Sequence, residues 1–299
     1  MNVQVRRGDA ADEPLVKTIC ADLSGGYDYI PQVWKEWVAD PQNQAYIFEV
    51  GGEAAALYFL RLGIAAPKAS WIQGVRVATA FKRRGLAAAL IQQAEETSRQ
   101  QGYEVLRYAT AQQNAPMHRL ANHYGFRHTG NFMNYHYELK PSVSERAAPA
   151  LRQSGLSELE AAYTLITNSA EYQATESFYA LAWLWKPLTR ELLAQHIQRG
   201  EVFSLADGLE ALAIVAKEPE IEEQHYWLAF IAGQEAALQL LLPSLLSQLI
   251  WSQAGATIEA LIPQTQSSEK LLLENGFIPD EEEAVMWLYE KPLGLASSD

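Results

Sequence analysis

The sequence predicts an α/β fold, an α+β mixed sheet flanked by helices and built twice in tandem. Three observations predict it. Apolar residues recur with period two and then with the helical period through the first half. A short polar, proline-bearing stretch divides the chain, and the second half echoes the first at a fixed offset.

In the first half, alternating apolar residues mark strands at 4–6, 45–50 and 54–60. The last two are joined by Gly51, Gly52 and Glu53, a tight-turn signal that predicts an antiparallel hairpin. A strand at 71–77 leads into the basic stretch Lys82, Arg83 and Arg84 and then Gly85. After it, Leu86, Leu90, Ile91 and Ala94 recur at helical spacing until Gly102 stops the helix. A strand at 103–110 leads to Asn114 as an N-cap, and Met117, Leu120, Ala121 and Tyr124 follow at i, i+3, i+4 and i+7. Gly125 ends that helix, and residues 132–139 read as a final strand.

Residues 141–150 are small, polar and proline-bearing, and read as a linker between a domain at 1–140 and a second at 151–299. Gly125-Phe126 matches Gly276-Phe277 and Lys140-Pro141 matches Lys291-Pro292, both 151 residues apart. At that offset the apolar run 236–251 replaces the first domain's helix, and 257–262 replaces its following strand. Glu235 falls opposite Arg84, Ala236 opposite Gly85 and Leu238 opposite Ala87.

Composition bounds the function. The chain has 299 residues, 48% hydrophobic and 20% charged, enough for two packed cores. A net charge of -13 opposes sequence-independent nucleic-acid binding, which needs Lys and Arg to neutralise phosphates. Cys20 is the only cysteine, so intrachain disulfides and cysteine-based metal clusters are excluded. The first residues lack the apolar core of a signal peptide. The run 236–251 is interrupted by Gln239, Pro243, Ser244, Ser247 and Gln248, too polar for a span of about 20 residues. The expectation is a cytoplasmic protein without nucleic-acid or membrane partners, its oligomeric state left open.

Chemistry concentrates after the strand at 71–77. A pyrophosphate needs several donors converging from one side, which backbone N–H groups at a helix N-terminus supply with a favourable dipole. Gly85 permits close approach, Ala87 and Ala88 leave room, and Lys82, Arg83 and Arg84 form a basic cluster in an acidic protein. The alternative is a solvated turn that starts a helix.

Val77, the run Phe81-Lys82-Arg83-Arg84-Gly85-Leu86-Ala87, Asn114 and Gly125-Phe126 together resemble the GNAT superfamily of N-acetyltransferases across residues 3–140. Lys82 stands where the family usually carries Gln or Arg. The resemblance implies two GNAT-like acyl-CoA N-acyltransferase domains in tandem, the C-terminal one degenerate, with acetyl-CoA as cosubstrate. It implies that the backbone of Val75 and Val77 pairs with the pantetheine arm and that Asn114 lies beside it. Lys82, Arg83, Arg84, Gly85, Leu86, Ala87 and Ala88 would hold the pyrophosphate. Glu235 at the matching place would repel phosphate, so one cofactor site is expected, in the first half.

The resemblance implies direct transfer to an amine. The tyrosine that family members often use as acid, four residues before the helix-ending glycine, is Ala121 here. Tyr124 is the catalytic candidate, with core packing as the competing reading; His118 and His123 have no evident partner in the sequence. Gln73, placed on the same face as Val75 and Val77 by period-two alternation, cannot act as a base but can order water. For the acceptor, Tyr27, Asp28 and Tyr29 precede Trp34 and Trp37, and Asp28 beside aromatic walls suits a cationic amine. Packing of Trp34 and Trp37 on a helix is the alternative. The aromatic run Phe178, Tyr179, Trp183 and Trp185 reads as core or as a cleft wall. The acidic stretches 218–223 and 280–283 read as loop decoration. Three functions stay open: acetylation of a small amine or amino acid, a coenzyme A-binding regulatory or scaffold module without turnover, and acetylation of protein N-termini or lysines.

Overall fold

The computed structural model describes residues 2–63, 68–138, 149–217, 225–252, 257–280 and 285–294. The element order repeats. The first half runs β1 (Val3–Arg7), α1 (Glu13–Cys20), α2 (Ile30–Ala39), β2 (Asn43–Val50), β3 (Glu53–Arg61), β4 (Ala69–Val77), α3 (Leu86–Gln100), β5 (Val105–Ala111), α4 (Ala115–His123) and β6 (Arg127–Glu138). The second runs β7 (Leu151–Gln153), α5 (Leu159–Thr167), an inserted α6 (Ala170–Ala174) and hairpin β8 (Phe178–Leu181) to β9 (Leu184–Pro187), then α7 (Arg190–Gln198), β10 (Val202–Leu205), β11 (Ala211–Lys217), β12 (His225–Gly233), α8 (Glu235–Ser252), β13 (Thr257–Pro263), α9 (Gln266–Glu274), β14 (Ile278–Pro279) and β15 (Val285–Pro292).

Two compact units result, and their bounds differ from the linear division at 140–151. Unit 1 comprises residues 1–109, 116–127 and 289–299; unit 2 comprises 110–115 and 128–288. The cause is strand pairing. From residue 128 on, β6 pairs antiparallel with β13, Tyr135 opposite Ala260, and so belongs with the second half's strands. The end of β15 lies beside β5 in unit 1, where Glu290 accepts from Arg107 Nε at 2.7 Å and Leu293 N donates to Glu104 O at 2.8 Å. Of the expected linker, residues 141–148 lie outside the described residues, as do 218–223 and 281–283 of the acidic stretches.

In unit 1, β1 to β4 form an antiparallel meander, with the predicted hairpin at Gly51-Gly52. α1 and α2, which the strand and helix patterns above did not resolve, cover one face. Val16, Ile19, Ile30 and Trp34 pack there on Ala45, Ile47, Leu57 and Phe59, all buried. α3 covers the other face, where Ser70 Oγ donates to Ser98 Oγ at 2.7 Å. Trp34 is core, as the packing alternative held, and its indole donates to Asp9 O at 2.9 Å. Unit 2 is likewise covered on two faces. Leu241, Leu242, Leu245, Leu271 and Leu272 pack on one, and Leu159, Ile166, Leu193 and Ile197 pack on the other. Phe178, Tyr179 and Trp185 are buried, while Trp183 is half-buried at a hairpin tip whose residues Ala182 and Trp183 both have positive φ. Among the described residues no helix is long and apolar enough to cross a membrane, and no side-chain group suits a metal ion.

Candidate functional site

β4 and β5 run parallel, in register from Ala69 opposite Val105 to Trp71 opposite Arg107. Beyond Trp71 the pairing stops, so the last six residues of β4 turn an unpaired edge toward an opening between the strands. One residue into that stretch the strand bulges. Gln73 lies opposite Phe59 and Arg76 opposite Leu57, so three register steps on β4 match two on β3. Gly74 makes this possible with φ +60, and a Cβ there would meet Ile30 Cδ1 at 2.9 Å and Phe59 Cδ2 at 3.1 Å. The bulge also breaks the alternation on which Gln73 was assigned to the face of Val75 and Val77. That argument does not carry across Gly74, and the Gln73 amide donates to Asn43 Oδ1 at 3.2 Å.

Past Val77 the chain takes eight residues, 78–85, to reach α3. Arg83 (φ +63) and Gly85 (φ +79) both adopt the left-handed region, which folds the loop back over the helix start. Lys82, Arg83, Arg84 and Gly85 are exposed, and the Arg84 guanidinium lies 5.1 Å from the Phe81 ring centre. No side chain caps α3 and its first turn holds no acidic residue, so the first N–H groups, at Leu86, Ala87 and Ala88, are left for an outside acceptor. A Cβ on Gly85 would meet nothing within 4 Å. An uncapped helix start beneath three cations, with open space at its glycine, fits a pyrophosphate.

The second half has lost this loop. β12 ends at Gly233 and α8 begins at Glu235, leaving Gln234 alone between them. The constant offset that set Glu235 opposite Arg84 therefore fails here, because seven residues are missing; Glu235 instead receives Lys270 Nζ at 3.0 Å.

On α4, Ala121 is fully buried and Tyr124 is half-buried just past the helix end, its ring edge-on to His123 at 4.9 Å. Asn114 falls in unit 2, where its amide donates to Thr110 Oγ1 at 2.9 Å. His118, partnerless in the sequence, has the Tyr289 hydroxyl 2.9 Å from its Nδ1, and Tyr289 stacks on Tyr108 at 5.2 Å. Burial pushes the Tyr289 hydroxyl above its usual range, so it stays protonated at neutral pH.

Near α2, Tyr27 is 91% exposed and Tyr29 48% exposed, Tyr29 lying edge-on to Trp37 at 6.0 Å. The Asp28 side chain is only 1% exposed. Its Oδ1 accepts from Ile30 N at 3.0 Å and its Oδ2 from Arg76 Nε. The expected role of Asp28 as a direct ligand for a cationic amine is corrected by this geometry: both oxygens are engaged inside the protein, and Arg76 occupies the cation's place. Arg76, missed in the sequence, had one local signal, a charge inside an apolar strand; its partner 48 residues away had none.

The family model described as Acetyltransferase (GNAT) family matches residues 15–126. That match covers most of the first half. The GNAT fold extends over almost the whole chain. A GCN5-related N-acetyltransferase from Sphaerobacter thermophilus matches with a TM-score of 0.64 at 15% identity, covering 97% of this chain and 96% of its own. A tandem GNAT protein from the clavulanic acid biosynthesis pathway matches with a TM-score of 0.54 at 14% identity, covering 99% and 100%. A putative acetyltransferase from Thermoplasma acidophilum gives 0.55 at 16%, covering 97% and 99%. No curated protein matches the sequence. GNAT family proteins use acyl-CoA.

Proposed function

We propose that the chain is an acetyl-CoA-dependent N-acetyltransferase, active in unit 1, that acetylates the primary amine of a small molecule or amino acid by direct attack. The observation that carries this reading is the uncapped start of α3 behind the left-handed Arg83 and Gly85, at the open end of β4. Backbone N–H groups of Leu86, Ala87 and Ala88, with Lys82, Arg83 and Arg84, bind the pyrophosphate; the unpaired edge at Val75 and Val77 binds the pantetheine arm. When bound, acetyl-CoA supplies a thioester as electrophile.

The protein's part is to align the amine, donate to the developing oxyanion from a backbone N–H near Val77, and return a proton to the departing thiolate. Tyr124, half-buried just past the end of α4 and outside the core, is the residue assigned to that proton. Gln73, bonded to Asn43, orders the acceptor side rather than removing a proton. Because residues 78–85 have no counterpart between β12 and α8, one coenzyme binds per chain.

Calorimetry with acetyl-CoA tests the site, with one mole bound per mole of chain expected and no binding fatal to it. Release of free thiol with an amine panel tests turnover. Binding without thiol release would favour the regulatory module, a reading supported by Ala121 at the position of the usual acid.

A further inference from the structure

The Asp28–Arg76 pair inverts the recognition chemistry of the acceptor side. Arg76 lies between Val75 and Val77, on the face of β4 where Asp28 and Tyr29 pack from the α1–α2 connection. Three restraints fix its guanidinium: Nε donates to Asp28 Oδ2, Nη1 donates to Val75 O at 3.0 Å, and the Tyr29 ring centre lies 5.3 Å from Cζ. A guanidinium carries five N–H donors, and these contacts use two. Nη2 keeps both of its own without a protein partner among the described residues, and the side chain is 21% exposed. Asp28, fully engaged and out of solvent, cannot meet a ligand. What this surface offers a ligand is a fixed, planar pair of cationic donors, beside the exposed rings of Tyr27 and Tyr29.

We propose that Arg76 is the anchor for a carboxylate on the acceptor, so that the substrate is an amino acid or a similarly small amino-carboxylate whose amine is held beside Val75–Val77. The proposal rests on the transferase reading for where the amine goes. Planar oxygens of a carboxylate match the fork geometry of a guanidinium, which a single ammonium does not reproduce. Because Asp28, Val75 and Tyr29 already hold Arg76, little side-chain freedom is lost on binding. Asp28 is a positioning residue, acting through Arg76.

The competing account is a structural ion pair that ties the start of α2 to β4. The two differ in what a ligand feels. Kinetics compare free amino acids with their amides and with the decarboxylated amines. Equilibrium binding compares N-acetyl amino acids with N-acetyl amino acid amides by calorimetry, which needs no turnover. Wild-type protein is expected to favour the carboxylate 10- to 100-fold in both, the usual worth of a hydrogen-bonded charge.

In Arg76→Lys the preference falls to near one. In Asp28→Asn, where Arg76 is released from its charged partner, it falls partway through KM, with kcat less affected. Thermal unfolding confirms that each variant is folded, and the wild-type comparison decides even if one is not. Equal binding of acid and amide by wild type, or an undiminished preference in folded Arg76→Lys, overturns the proposal. Carboxylate-selective binding with no thiol release on any amine would retain the anchor and sink the transferase reading instead.

Discussion

Two glycines of the same strand–loop–helix segment have left-handed backbones and opposite surroundings, so alanine at each should do different things. At Gly74, alanine must adopt φ +60, costing about 1–2 kcal/mol for an L-residue there. Its Cβ would also lie 2.9 Å from Ile30 Cδ1, 3.1 Å from Phe59 Cδ2 and 3.5 Å from Trp37 Cζ3. Ile30 and Phe59 belong to the buried core under α2, where overpacking costs a further 1–3 kcal/mol or so. The sum is about 2–5 kcal/mol. At Gly85 the same backbone cost applies at φ +79, but nothing lies within 4 Å of the added carbon. Gly85→Ala should therefore lose only about 1–2 kcal/mol. Its methyl would occupy the open space assigned to the pyrophosphate, so acetyl-CoA affinity should fall more than tenfold. Urea unfolding of both variants and calorimetry on Gly85→Ala measure these quantities. Equal destabilisation by the two, or Gly74→Ala within about 0.5 kcal/mol of wild type, would refute the claim that the bulge is held from below by α2. Full coenzyme affinity in Gly85→Ala would move the phosphate site elsewhere.

Other outcomes follow from the same geometry. Neutralising Lys82 and Arg84 together should weaken acetyl-CoA binding and flatten its dependence on salt, because exposed charges are screened within about 10 Å at 0.1 M; an unchanged salt slope removes them from the site. Arg107, 2% exposed, pairs with Glu290, and burial pushes its pKa down despite that partner. Arg107→Met should cost up to about 3–5 kcal/mol, because Glu290 loses its buried partner and retains the more exposed Arg127 at 3.5 Å, and Arg107→Met with Glu290→Gln should recover most of it in urea melts.

In unit 2, the Tyr179 hydroxyl lies 2.7 Å from His196 Nε2, and His196 Nδ1 lies 2.6 Å from Glu201 Oε2 and 3.0 Å from Arg199 Nη2. Burial nevertheless holds the His196 pKa below the ordinary value of 6.5. The unfolded chain then takes up a proton that the folded one resists. Stability from this residue is complete above about pH 6.5 and is lost as pH falls below it. His196→Gln should show a shallower loss between about pH 7 and 5 than wild type, and parallel curves would contradict the assignment.

Much of the candidate site was legible because its signals are local. The strand ending at Val77, the basic loop, Gly85 and the start of α3 follow one another in sequence, and each obeys a rule that reads a few residues at a time. What escaped was set by partners far along the chain. Asp28 read as a free acid because Arg76 lies 48 residues on. Gln73 read as a neighbour of Val75 because alternation assumes a regular strand, and a single glycine at φ +60 broke it. The repeat was visible in two dipeptides, yet the fixed offset hid the loss of seven loop residues before Glu235. The unit boundaries escaped for a stricter reason. A strand's apolar alternation says which face it buries and nothing about which strand lies beside it.

The residues from 289 on give one reason why a second half without a phosphate loop is retained. Unit 1 takes in residues from 289 on, and residues 289–293 are bound there by specific contacts. Glu290 neutralises the buried Arg107, Lys291 Nζ lies 2.6 Å from Glu95, and Leu293 O accepts from Arg99 Nε at 2.9 Å. Tyr289 covers Tyr108 and meets His118. A chain ending at residue 140 keeps every residue of the phosphate loop and loses all of these. It removes Glu290 from the buried Arg107, and breaking a buried pair costs about 3–5 kcal/mol against a typical net stability of about 5–15 kcal/mol. Residues 1–140 alone should therefore be poorly folded, with little protection of β5 from hydrogen exchange, and a peptide of residues 285–294 should restore part of that protection. A 1–140 fragment that folds cooperatively and binds acetyl-CoA like the full chain would show that the second half serves some other end.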